Sequence, residues 1–140
     1  MTGIFGENVP AFASTKETYS KTIAIVFYNS GSMYKDGNMA WCRATYAMEV
    51  FAAMLNEGDT LLIYPMHPIT VGGTQYTMEK PFKVTNASQS NQIRDIFTDD
   101  PSGTPVESID FAAQGLRDCK TDQKYMVILS DGDGFDLGGT

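Results

Sequence analysis

The chain has 140 residues, 42% hydrophobic and 19% charged, which suits one folded domain with a real core and excludes a disordered chain. Its net charge is −7, and residues 94–140 hold ten Asp or Glu against four Lys or Arg, six of the seven excess charges. Such a surface repels phosphate backbones and argues against nucleic acid as a partner, and no apolar run reaches the ~18 residues of a membrane helix.

Residues 1–20 are rich in Gly, Pro, Ser and Thr and carry no helical or strand period, so they read as an irregular lead-in to a domain over 21–140. The first residues lack the basic-then-apolar order of a signal peptide, which predicts a reduced, cytoplasmic setting, although a fragment of a larger or surface protein would look the same. Ile23, Ala24, Ile25, Val26 and Phe27 form a continuous apolar run that predicts a strand over 22–28, buried on both faces. That strand ends in Tyr28-Asn29-Ser30-Gly31-Ser32-Met33, a polar tip with two hydroxyls spaced two apart. Open α/β sheets place their ligand sites at such carboxyl ends.

Met39, Cys42, Tyr46, Val50 and Ala53 recur at three and four, predicting a helix over 39–56 whose core face is that stripe, with Trp41 and Met48 at a second contact. Asn38 suits its N-cap and Gly58 follows its end. Residues 60–65 read as a second buried strand. A hairpin-like excursion with a Gly72-Gly73 turn joins 69–71 to 74–78, and Phe82-Lys83-Val84 reads as an edge strand. A brief helix is expected over 88–97. A second long helix is expected over 105–118, with Thr104 at its cap, Pro105 in its first turn, and Val106, Ile109, Ala112, Ala113 and Leu116 facing the core. The last strongly apolar run, 124–130, closes on Ser130-Asp131-Gly132-Asp133. Cys42 and Cys119 both fall in predicted helices and read as small buried thiols. Helices alternating with apolar strands predict an α/β, mostly parallel sheet.

Three loops carry the candidate chemistry: Ser30 and Ser32, then Gly103-Thr104-Pro105-Val106, then Leu129-Ser130-Asp131-Gly132. In that order and spacing, over roughly residues 20–137, the chain resembles the von Willebrand factor A domains. The resemblance implies a doubly wound, Rossmann-like sheet with a metal-ion-dependent adhesion site at its carboxyl edge. It implies that Ser30, Ser32, Thr104 and Asp131 surround a Mg²⁺ or Mn²⁺, and that a protein partner completes the site with an acidic side chain. Hydroxyl, water and carboxylate oxygens are hard ligands that suit those ions.

Two departures matter. The family's leading Asp is replaced by Tyr28, and a phenol with a pKa of about 10 cannot supply its charge at neutral pH. Loss of an outer carboxylate typically costs about 10–100-fold in metal affinity, so metal binding is expected to be weak or absent. Either the turn is kept for its geometry with Tyr28 plugging the site, or Asp36, Asp133 or Asp136 replaces the missing charge. The second departure is length. Family members continue beyond the equivalent of Thr140 with further strands and helices, so 124–130 is expected at an uncovered edge, with pairing to a second copy or cover from residues 1–20 as the consequence. The expected function is a protein-binding module, with a metal-free structural or self-assembly domain as the alternative. Catalysis is not expected, since His67 is the one histidine and sits between two prolines, away from the Ser and Asp positions.

Overall fold

The computed structural model describes residues 19–35 and 37–130. Among these, seven strands alternate with helices: β1 (Lys21–Phe27), β2 (Thr60–Pro65), β3 (Ile69–Val71), β4 (Thr74–Tyr76), β5 (Phe82–Val84), β6 (Phe97–Thr98) and β7 (Gln123–Leu129). The helices are α1 (Met39–Ala53) and α2 (Asp110–Asp118), with 3-10 segments at Gly31–Tyr34 and Ala87–Asp95. None is long and apolar enough to cross a membrane.

β1 is the apolar run expected of a central strand. It pairs in parallel with β2 on one side and β7 on the other, with Ile25 opposite Ile63 and Val127. β5 adds antiparallel to β2, so the main sheet runs β5-β2-β1-β7. Strand alternation sends Ile23, Ile25 and Phe27 to one face, where they pack with Met48, Ala52, Leu61 and Ile63. Ala24, Val26 and Tyr28 go to the other face, against Tyr64, Met66, Met78 and Ala112. Each large side chain buried this way contributes about 1.5–3 kcal/mol, so both faces help to hold the strand. The Gly72-Gly73 hairpin forms as expected, with both glycines at positive φ, and joins β3 to β4 in a small second sheet with β6. At the sheet's other end, the Lys21 ammonium lies 2.6 Å from the nearly sealed carboxylate of Asp59. Burial works against that charge, but Lys21 and the amides of Lys21 and Asn56 outweigh it and hold the Asp59 pKa below its ordinary value.

α1 presents the opposite face from the one its spacing suggested. Ala44, Thr45, Met48 and Ala52 are buried, while Met39, Cys42, Tyr46, Val50 and Ala53 face outward. Both faces are apolar. The buried face packs Ala44, Met48 and Ala52 into the core beside Ile23, Ile25 and Phe27, with Trp41 and Phe51 packed at its margin, and the helix backbone runs along both 3-10 segments. Cys42 is therefore exposed, and Cys119 is half-buried at the C-cap of α2 rather than a core thiol. Asn38 is the N-cap of α1, but it serves through a left-handed backbone (φ 66°) and not through a side-chain hydrogen bond. α2 begins five residues later than expected. The Val106 amide is committed to the Met66 carbonyl at 2.9 Å, which holds the chain extended, and Ser108 Oγ instead accepts from the Asp110 amide. Thr104 and Pro105 thus lie in an irregular segment, and Val106 and Ile109 are exposed. The expected 88–97 helix is a 3-10 segment held by a capping box between Asn86 and Gln89.

Gly115 sits where α2 crosses β2, and a Cβ there would collide with the Tyr64 hydroxyl. Alanine gains about 1 kcal/mol in helix propensity, whereas overpacking of this kind costs about 1–3 kcal/mol, so the clash should win. Gly115→Ala is expected to lower stability to urea by about 1–2 kcal/mol, with Tyr64→Phe in the same chain recovering most of it. An equal loss with and without Tyr64→Phe would show that this crossing is not the cause.

Candidate functional site

The serine tip is built by the residues that leave β1. Ser30 is extended (φ −76°, ψ 166°) and caps the 3-10 segment, whose Met33 amide donates to the Ser30 carbonyl at 3.0 Å. Fully buried Met33 anchors that turn from below. Tyr34 stacks on Trp41 of α1 with ring centroids 4.9 Å apart. The turn leaves the Ser30 and Ser32 hydroxyls 2.7 Å apart. The two hydroxyls are hydrogen-bonded to each other, and they would have to part only slightly to the about 3 Å that separates adjacent ligands of an octahedral Mg²⁺ at about 2.1 Å.

Asn29 holds the tip to the rest of the sheet. Its side chain is fully buried and donates through Nδ2 to the His67 carbonyl at 2.9 Å and to Thr98 Oγ1 at 3.0 Å. Its Oδ1 accepts from the His67 amide at 2.9 Å. One amide thereby satisfies both backbone groups of the residue beyond β2 and the side chain that ends β6. His67 is consequently not remote from the serines: it is 3% exposed and bonded to the residue beside Ser30. Burial lowers the His67 pKa below its ordinary value, and nearby Asp100 and Glu107 offset this only in part.

The 99–105 loop lies against the tip. A Cβ built on Gly31 would stand 3.7 Å from the Pro101 carbonyl oxygen. The loop is tied at its base, where the Asp99 carboxylate accepts from Thr70 Oγ1 and Gln75 Nε2, each at 2.6 Å. A Cβ on Gly103 would approach Asp100 Oδ2 to 2.8 Å, so a larger residue there would push the exposed Asp100 side chain aside. Thr104 is carried by this loop and is exposed. Leu129 accepts from the Tyr28 amide at 2.8 Å, so Ser130 leaves β7 beside the tip. Asp131, together with Asp36, Asp133 and Asp136, lies outside the described residues.

Tyr28 points to the α2 face. It is 8% exposed, packed among Met66, Met78 and Ala112. Burial first, and the charge of Glu107 second, raise the phenol's pKa, which keeps it neutral. The position thus contributes packing rather than charge. Among the described residues, no cluster of three or more His, Cys, Asp or Glu side chains could hold a metal ion. A cation at the hydroxyl pair would need its negative charge from Asp131, from one of Asp36, Asp133 and Asp136, or from a bound partner. Asn29, Glu107 and Asp100 went unrecognised in the sequence, because their relation to the tip arises from contacts between distant segments.

Asn29→Ala strands the His67 N–H and C=O in a buried setting, at about 1–3 kcal/mol per unsatisfied group. A loss of at least about 2 kcal/mol in urea unfolding is expected, and a loss under about 0.5 kcal/mol would disprove the clamp. No family model matches this chain, and no curated protein or solved structure matches it.

Proposed function

We propose that the chain is a protein-binding module of the von Willebrand factor A type, with a doubly wound sheet that engages its partner at the carboxyl edge. The observation that carries this reading is the Ser30 and Ser32 hydroxyl pair, 2.7 Å apart at the end of the central parallel strand, with the loop bearing Thr104 against it. Ser30, Ser32, Thr104 and Asp131 would hold a Mg²⁺ or Mn²⁺, which when bound would supply positive charge for an acidic side chain of the partner. The protein's own part is to keep the hydroxyls converged through Asn29 and Met33. Tyr28 sets the metal dependence, because its neutral phenol leaves the tip one carboxylate short and weakens or abolishes metal binding. The proposal assigns no catalytic step.

Calorimetric titration with Mg²⁺ tests this on the parent chain and on Tyr28→Asp. Weak or absent binding is expected for the parent, tightening at least about tenfold, or 1.4 kcal/mol, in Tyr28→Asp. Without metal, Tyr28→Asp should melt lower, because it places a carboxylate among Met66, Met78 and Ala112 with Glu107 nearby. Mg²⁺ should recover part of that loss, since a ligand that binds only the folded form raises its melting temperature. Tight binding by the parent, unchanged by Tyr28→Asp, would overturn this account of Tyr28.

A second reading, a metal-free self-assembly domain, is favoured by β7. Its outer edge carries no strand among the described residues, and its exposed Tyr125 leads into half-buried Met126, Val127, Ile128 and Leu129. Unpaired strand edges of this length template pairing with another chain. Light scattering is expected to find dimers of the full chain, or of a form lacking residues 1–18 if that segment shields the edge. Monomers of both at high concentration would remove this reading.

A further inference from the structure

His67 carries a feature that the binding proposal leaves unused. Its Nδ1 is buried and has no hydrogen-bond partner among the described residues. An unpartnered buried ring nitrogen leaves its hydrogen-bonding capacity unmet, and it is one of the two atoms at which the imidazole can carry a proton. The groups that face the ring come from three segments. Asn29, from the serine tip, is neutral and spends its amide on the His67 backbone. Asp100 approaches through both its backbone and its charge, and Glu107 through its charge.

Both acids belong to segments without regular structure, between β6 and α2. The His67 backbone, by contrast, is clamped by Asn29. A buried imidazolium requires a counter-charge, and Asp100 and Glu107 stand next to anchored residues, Asp99 and Val106, outside any strand or helix, so their side chains can turn to meet it. Motion there reaches the tip by two routes. Gly31 lies near the Pro101 carbonyl, with room between them for little more than a methyl group, and Thr98 bonds both Asn29 and the Tyr34 phenol.

We propose that His67 is a proton-operated latch on the serine tip: a proton taken up at Nδ1 draws Asp100 or Glu107 toward the ring and shifts the segment that carries Ser30 and Ser32. The latch is closed when the imidazole is neutral. Burial lowers the folded-state pKa below the ordinary 6.5, so as pH falls through 6.5 the unfolded chain takes the proton first. Stability fully present above that value is then lost until the folded pKa is reached, where the folded protein binds the proton too and the latch opens.

Trp41 is the single tryptophan and stacks on Tyr34 of the tip segment, so its emission reads the tip directly. The experiment follows Trp41 emission from pH 8 down to about 5, above the ordinary carboxylate range, with far-UV circular dichroism to confirm folding at each point. The parent is expected to show a one-proton transition below pH 6.5 that His67→Gln lacks and that Asp100→Asn or Glu107→Gln moves downward by up to about one pH unit. Because His67 is the only histidine, its ring C–H resonance gives its titration unambiguously in the unaltered chain, should a variant fail to fold. The two midpoints should coincide. A pH-independent Trp41 signal in the folded parent, a midpoint apart from that of His67, or an unchanged transition in His67→Gln would overturn the latch. Neither readout uses metal or partner, so failure here leaves the binding proposal standing, and failure of that proposal leaves the latch.

Discussion

A strand enclosed on both faces and along both edges must have every backbone polar group paired and every side chain packed, and β1 meets that demand. β2 and β7 take up its hydrogen bonds, while α1 and α2 cover its two faces. The constraint propagates outward. The register of β1 against β2 places Val26 beside Tyr64, and Tyr64 then requires Gly115 in the helix that crosses it. The same register brings the ends of three parallel strands to one edge, so Asn29, Met66 and Ser130 start their loops side by side. The geometry of the tip is therefore a consequence of how the core is paired, not of the loops alone.

At that edge two uses of position 28 compete. A carboxylate there, which the proposed metal site would call for, would sit on a face lined by Met66, Met78 and Ala112, where an uncompensated charge is costly. A tyrosine fills the same space, gains apolar contact and stays neutral. The chain has taken the packing solution at this residue while keeping the two serine hydroxyls converged beside it. On the proposed reading, affinity for a cation and stability without one would be set against each other by this side chain.

The helices show how far periodicity reaches. α1 carries two apolar faces, and a spacing rule scores the outward Met39, Cys42, Tyr46 stripe as highly as the inward Ala44, Met48, Ala52 one. Choosing between them needs the position of the segments that the helix packs against, above all the 3-10 segment Ala87–Asp95. The outward stripe leaves Met39, Tyr46 and Val50 exposed along the helix, with Met54 exposed at its C-cap. Similarly, Thr104 and Pro105 make a good local helix start, yet one hydrogen bond from Val106 to Met66 outweighs that preference and delays α2 to Asp110.

Local chemistry was enough to place β1 at the centre, to find β2, β5 and β7, to pick out the Gly72-Gly73 hairpin, and to single out Ser30 and Ser32 as a pair. Each of these depends on neighbours within a few residues: an apolar run, a turn that needs positive φ, or two hydroxyls on one tight turn. Only the tertiary structure decided which face α1 buries, where α2 begins, that Tyr28 packs among methionines, and that His67 lies sealed next to the tip. Those outcomes rest on contacts between segments far apart in the chain, such as Asn29 with His67 and Thr98, 38 and 69 residues away. An asparagine in a loop and a histidine between prolines carry no local mark of such a bond. It exists because two parallel strands, paired by their apolar residues, end at the same height.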